Sequence, residues 1–281
     1  MPVYDQSYRR YQARRPLRDL RFWPITREAL RMILARRAFL GLIALCWLPL
    51  VGRAIQVYIV TRFPEASRIA PVDGRLFGEF LNGQILSTLL LTVFGGAGLI
   101  ANDLRSGAIV VYLSRPLTRR DYVLGKLTVL LLLNLSVTLA PALLLYAVAL
   151  ALAPDVLWRW DLAWIAPAIV LQAIVASAAV SLLALAISAV SRSARAAGLA
   201  FFALMVASNL VLVLLRRVYD VPALLLFSVW DDLTRLSAAL FGASTRSAGL
   251  PWVDAALALA AIAGCCLLVL RARVRAVEIV T

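Results

Sequence analysis

The sequence predicts an all-α integral membrane protein with six transmembrane helices, and three observations lead there. Hydrophobic residues make up 63% of the chain and mean hydropathy is +0.88, far above the roughly half-apolar composition of a soluble domain. Six apolar runs, near 39–60, 80–101, 124–152, 162–190, 197–215 and 250–270, can each cross about 30 Å of hydrocarbon with about 20 residues. The 29 basic residues, against 15 acidic ones, sit in loops and tails and not on one helix face with interleaved aromatics. That distribution fits membrane topology and argues against nucleic acid as a partner.

The first segment, 1–23, is a basic tail, with Arg9, Arg10, Arg14, Arg15, Arg18 and Arg21 among Tyr4, Tyr8 and Tyr11. Too polar to bury a core, it is expected to be disordered and to favour an anionic inner leaflet, at about 1 kcal/mol per arginine close to it. Residues 24–38 then read as an amphipathic connecting helix. Ile25, Ala29, Met32 and Ile33 share one face, with Arg27, Glu28 and Arg31 opposite. With Phe22 and Trp23 beside it, this spacing predicts a helix in the plane of the interface. A six-span domain, 39–281, follows and closes with a short tail. Arg53, about 21 Å along the first span from Phe39, is expected to snorkel outward and not to bind substrate. Pro64, Pro71 and Gly74 mark turns in the loop 61–79.

Between the second and third runs lies Gly95 to Lys126, GGAGLIANDLRSGAIVVYLSRPLTRRDYVLGK. Pro116 stops any helix arriving from its N-terminal side and holds Arg115 extended. Thr118 and Asp121 have the spacing of a capping box, so the next helix starts here, about two turns before lipid. Ala108 to Leu113 is apolar, flanked by Asp103 and Arg105 on one side and Arg115, Arg119 and Arg120 on the other. That pattern suits a short helix docking into another protein's groove.

The order Asn102, Asp103, Arg105, Gly107, then Leu113, Ser114, Arg115, Pro116, then Arg119, Tyr122, Gly125 and Lys126 resembles the cytoplasmic segment of the membrane subunits of type-2 ATP-binding-cassette (ABC) exporters. The resemblance implies a cytoplasmic coupling helix between spans two and three that touches a separate ATPase through Asn102, Asp103, Arg105, Ile109, Val110, Leu113, Arg115 and Arg119. It also implies that the connecting helix touches the ATPase, through Arg27 and Arg31. Lys126, the only lysine, is read as compositional bias without functional weight.

Pro141 and Pro167 are expected to kink the third and fourth spans. Asn134, Gln172 and Asn209, and the Ser- and Ala-rich stretch 176–193, predict helix–helix hydrogen bonding and close packing. In 216–249, Leu226, Val229, Trp230, Leu233, Leu236 and Leu240 form an apolar side opposite Ser228, Asp231, Asp232 and Arg235. This predicts an amphipathic helix lying on, or dipping into, the outer leaflet before span six. By resemblance it is a re-entrant gate over the outer mouth, with Trp230, Asp231, Asp232 and Leu233 as its residues. Asp254 sits where the dipole of the last span favours a carboxylate.

The positive-inside rule puts both termini and 95–126 in the cytoplasm of a multi-pass protein of the inner (plasma) membrane. No histidine is present, which removes the commonest general base and metal ligand. Cys46, Cys265 and Cys266 lie in apolar runs without metal-ligand spacing. Gly125-Lys126 runs into Leu127 without the glycine a Walker A loop needs. No catalytic residue, metal site or cofactor of its own is expected; ATP and Mg would be bound by the partner ATPase. The function implied is the permease subunit of a type-2 ABC exporter, working as a homodimer or with a related permease in contact with membrane lipid, its pathway along spans two and five. The alternative is a mechanotransmitting ABC membrane subunit that drives an outer-side partner without moving a solute. The substrate is not legible.

Overall fold

The computed structural model describes residues 22–63, 71–108, 118–152, 162–219, 226–242 and 251–274. These are entirely helical, in ten elements: α1 (Trp23–Leu34), α2 (Arg37–Arg62), α3 (Gly74–Gly95), α4 (Ala101–Arg105), α5 (Arg119–Val137), α6 (Leu139–Leu152), α7 (Ile165–Val190), α8 (Ala194–Tyr219), α9 (Val229–Phe241) and α10 (Trp252–Arg273). Six stretches are long and apolar enough to span a membrane: α2, α3, α5 with α6, α7, α8 and α10. The basic tail 1–21, and Ile109, Val110, Leu113 and Arg115 of the expected coupling helix, lie outside the described residues.

Local chemistry fixes most of the boundaries. Pro24 occupies the first turn of α1, where its missing N–H costs nothing. The helix buries Ile25, Thr26, Ala29 and Ile33, whereas Met32, expected on that face, is 55% exposed. Extended Arg36 separates α1 from α2, so α1 is a helix of its own and not the end of the first span. The second span starts at Gly74, earlier than the apolar run near 80 suggests, because the Asp73 carboxylate accepts the Arg75 N–H at 3.0 Å and caps it. Its first turns can be polar or glycine-rich because they pack against protein. The capping box is present: Thr118 Oγ1 accepts the Asp121 N–H at 3.2 Å, and Asp121 accepts the Thr118 N–H at 2.9 Å.

The two prolines behave differently. Pro141 has no N–H for the Val137 carbonyl, and the helix is interrupted there, at Thr138, between α5 and α6. Pro167 lies in the first turn of α7, where a proline is tolerated, so it starts the fourth span and does not kink it.

The core is organised around α7, which packs against α3, α4, α5, α6, α8, α9 and α10. Its alanines and serines let these helices approach closely. Asn134 of α5 joins three helices: its amide donates to Ser181 Oγ of α7, and its carbonyl oxygen accepts from Thr92 Oγ1 of α3, each at 3.2 Å. Peripheral helices keep bare apolar faces, as Leu199 of α8 (71% exposed) and Leu268 of α10 (64%) illustrate. In lipid such faces carry no penalty.

Candidate functional site

At one end of the bundle, α4 follows the last turn of α3. Ser188 Oγ of α7 accepts the backbone N–H groups of Ile100 and Ala101, at 3.2 and 3.0 Å, two donors that a helix start leaves without intrahelical partners. Asp103 then turns toward the start of α5. Its Oδ2 lies 2.8 Å from Lys126 Nζ and accepts the Tyr122 hydroxyl at 2.8 Å. Tyr122 and Lys126, one turn apart, share a face, and both are buried. The ammonium also lies 5.7 Å from the Tyr122 ring centroid, within cation–π range. Beside this face of α5, Thr26 Oγ1 of α1 donates to the Gly125 carbonyl at 3.0 Å, and a Cβ at Gly125 would come within 3.1 Å of Ile25. A short helix, an amphipathic helix and two spans are thereby joined by polar contacts at one level.

Outside this junction the expected contact residues face outward. Asn102, Arg105, Arg27, Arg31 and Arg119 are exposed. Asn102 and Arg105 line a cleft of about 540 Å³ with Ser193 and Arg195 from the α7–α8 turn. Arg119 lies elsewhere, in a groove shared with α10. Asp103 differs from its neighbours: its charge is held inside the chain by Lys126. The lysine dismissed as compositional is the buried partner of a motif aspartate. Its being the one lysine among 29 basic residues was the available signal, since an arginine's planar fork and a lysine's point charge suit different sites.

At the other end lies α9. It touches the first turns of α3, where Ser237 Oγ donates to the Gly78 carbonyl at 3.4 Å and a Cβ on Gly74 would come within 2.8 Å of the Phe241 carbonyl. About 33 Å of α3 therefore separates it from α4. Ser228 caps the helix by accepting the Asp231 N–H at 3.3 Å, and Gly242, at φ +68°, ends it in the left-handed conformation. Asn209 of α8 donates to Ser228 Oγ at 3.2 Å, and Gln172 of α7 donates to the Leu233 carbonyl at 3.0 Å.

The facing of α9 corrects the expectation from periodicity. Asp232 and Arg235, on the polar side of a helix expected on or in the outer leaflet, are buried against the bundle, as is Leu233; Trp230 and Asp231 are half-buried. Arg235 Nε lies 2.6 Å from Asp231 Oδ2, too badly angled to count as a hydrogen bond. Among the described residues, neither Asp232 oxygen and neither terminal guanidinium nitrogen of Arg235 has a hydrogen-bond partner. Burial pushes the Asp232 carboxyl up to about 7, against the lowering effect of Arg235 and with a smaller upward push from Asp231. Both sides of this helix are covered: Val229, Leu233 and Phe241 are buried as well as Asp232, Arg235 and Ser237.

The chain thus has six spans, one of them the central α7, a separate amphipathic helix before the first, and a short helix beside the third. A profile described as ABC-2 family transporter protein matches residues 23–270. The chain belongs to the ABC-2 transporter family. Comparison with curated proteins gives no match. As an ABC-2 family member it is a multi-pass membrane protein, the permease part of an ABC transporter, and the family as a whole partners with ABC ATPase subunits. In this permease the α4–α5–α1 junction lies in the stretch that the sequence singles out for such a partner.

Proposed function

We propose that this ABC-2 permease couples ATP hydrolysis by separate cytoplasmic ATPase subunits to export of a substrate across the plasma membrane. It does so as a homodimer or with a related permease, both termini in the cytoplasm. The Asp103–Lys126–Tyr122 junction carries this reading. Any force on residues 103–113 reaches the start of α5 through a buried ion pair, α7 through Ser188, and α1 through Gly125. The exposed Asn102, Arg105, Arg27 and Arg31 form the described part of the docking surface, to which the family resemblance adds Ile109, Val110, Leu113 and Arg115; Asp103 transmits and does not dock. ATP and Mg belong to the ATPase, and this chain contributes no catalytic group. The bare face of α8 suits contact with the second permease copy. α3, most of which is buried inside the chain, contributes less to that contact than the family resemblance implies.

Transport of a substrate is favoured over purely mechanical transmission by the burial of α9. The polar residues an outer partner would grip are turned into the bundle. The test is recovery of the ATPase on the permease, at matched membrane levels, with wild type and Ile109→Asp. We expect the variant to insert but to lose the ATPase, or to uncouple its hydrolysis from transport. Equal recovery with unchanged ATP-driven transport would overturn the reading.

A further inference from the structure

The start of α5 and the end of α10 do not close on one another. Each packs on α7, and between them runs a groove of about 910 Å³, near the upper end of the roughly 300–1,000 Å³ usual for ligand sites. Arg119 and Arg120 from α5 and Arg271 from α10 stand at its mouth. Its walls are apolar and open: Leu124 is 47% exposed, Leu267 46% and Leu268 64%. No carboxylate is among the described residues that line it.

Depth along the helices separates charge from hydrocarbon. α1, an amphipathic helix with exposed Trp23, meets α5 at Gly125, which marks the interfacial level. Arg119 and Arg120 lie about 7–9 Å beyond that level toward the helix start. On α10 the groove runs from Arg271 to Gly264, about 10 Å toward the membrane centre. A Cβ added at Gly264 would meet nothing within 4 Å, so the upper part of the groove is open space.

We propose that this groove binds an anionic glycerophospholipid, its phosphate held by Arg119, Arg120 and Arg271 and an acyl chain lying along Leu124, Leu268 and Gly264. Guanidinium groups form paired hydrogen bonds with phosphate oxygens, and three of them with no carboxylate among the described lining residues favour an anion. A soluble ATPase does not reach the apolar wall beside Gly264. A two-fold contact centred here would set three arginines against three more, which is unfavourable. A lipid satisfies both parts of the groove. Arg119 is then a lipid ligand, and α5 and α10 are bridged by a molecule whose supply depends on membrane composition.

The test uses the full chain reconstituted in vesicles of equimolar phosphatidylglycerol and phosphatidylcholine, then extracted and weighed by native mass spectrometry. Wild type is expected to retain phosphatidylglycerol in preference to phosphatidylcholine. Replacing all three arginines with alanine should lower that retention by more than about tenfold, and replacing them with lysine should keep much of it. Gly264→Leu, which leaves every charge in place and improves helix propensity, should also lower it by filling the acyl part; if the alanine variant fails to insert, Gly264→Leu decides alone. Equal retention of the two lipids by wild type would overturn the proposal. So would unchanged retention in Gly264→Leu together with displacement by inorganic phosphate, which would mean a simple anion site. Disulfide linkage of two copies through Leu268→Cys with no lipid retained would instead make the groove an interface.

Discussion

The two ends of the bundle handle buried charge in opposite ways. At the α4 end Asp103 meets Lys126 at 2.8 Å and accepts the Tyr122 hydroxyl, which ties α4 to α5. At the α9 end Asp231, Asp232 and Arg235 are gathered on one helix, and the Asp232 carboxylate has no hydrogen-bond partner among the described residues. A buried ion pair with good geometry holds one arrangement, because breaking it strands a charge. A buried polar group without a partner raises the energy of the packed state and favours any displacement that gives it one. The first end thus favours one arrangement and the second tolerates displacement, which under the proposed function suits a driven junction and a far gate.

The comparison breaks most visibly at Lys126. Lys126→Met leaves the half-buried Asp103 with the Tyr122 hydroxyl but without its counter-charge, which should cost about 1–3 kcal/mol, read as a lower melting temperature in detergent. Asp103→Leu in the same chain should recover much of that loss, whereas an additive double variant would mean the two charges are not a pair. A smaller effect is expected at Asp232. Its carboxyl rests near 7 in the fold against an ordinary value near 3.8, so the folded chain holds a proton that the unfolded chain has released. This group's contribution is therefore fully present below about pH 4 and is lost as pH rises through 7. Asp232→Asn should flatten that fall and leave the protein more stable than wild type at pH 8. Melts at pH 5 and pH 8 that shift equally in both proteins would remove α9's half of the contrast. The smallest effect is expected for Arg53→Ala. Its pair with Glu79, 3.0 Å apart near the α9 end, joins two partly exposed side chains and should be worth under about 1 kcal/mol. A larger loss in a denaturant series would mean that this end has a lock of its own.

What the sequence made legible follows from the range of each interaction. Spans are set by runs of about 20 apolar residues, a local property, and all six were visible. Helix starts at Thr118 and α1 were visible too, because caps and amphipathic spacing are written within four or five residues. Asn134, Gln172 and Asn209 make the helix–helix hydrogen bonds that polar groups in apolar spans require. The pairing of Asp103 with Lys126 joins residues 23 positions apart, and nothing local announces it. The facing of α9 was misread for a different reason: periodicity reports that a helix has two sides, but not whether protein, lipid or water covers each. Pro167 was misjudged by register alone, since a shift of one turn separates a kink from a helix start.

The central position of α7 also bears on how the protein is made. As the fourth span in chain order, it is synthesised after α2, α3, α5 and α6 and before α8, α9 and α10. Its Ser- and Ala-rich surface contacts most of both groups. Until it inserts, Asn134 and Thr92 have each other but not Ser181, and the start of α4 lacks the Ser188 hydroxyl. The N-terminal helices already pack on one another, α2 on α3 and α6 and α3 on α5, but part of their polar pairing awaits this later segment. The arrival of residues 165–190 is therefore expected to be the step after which the earlier and later spans share one helix.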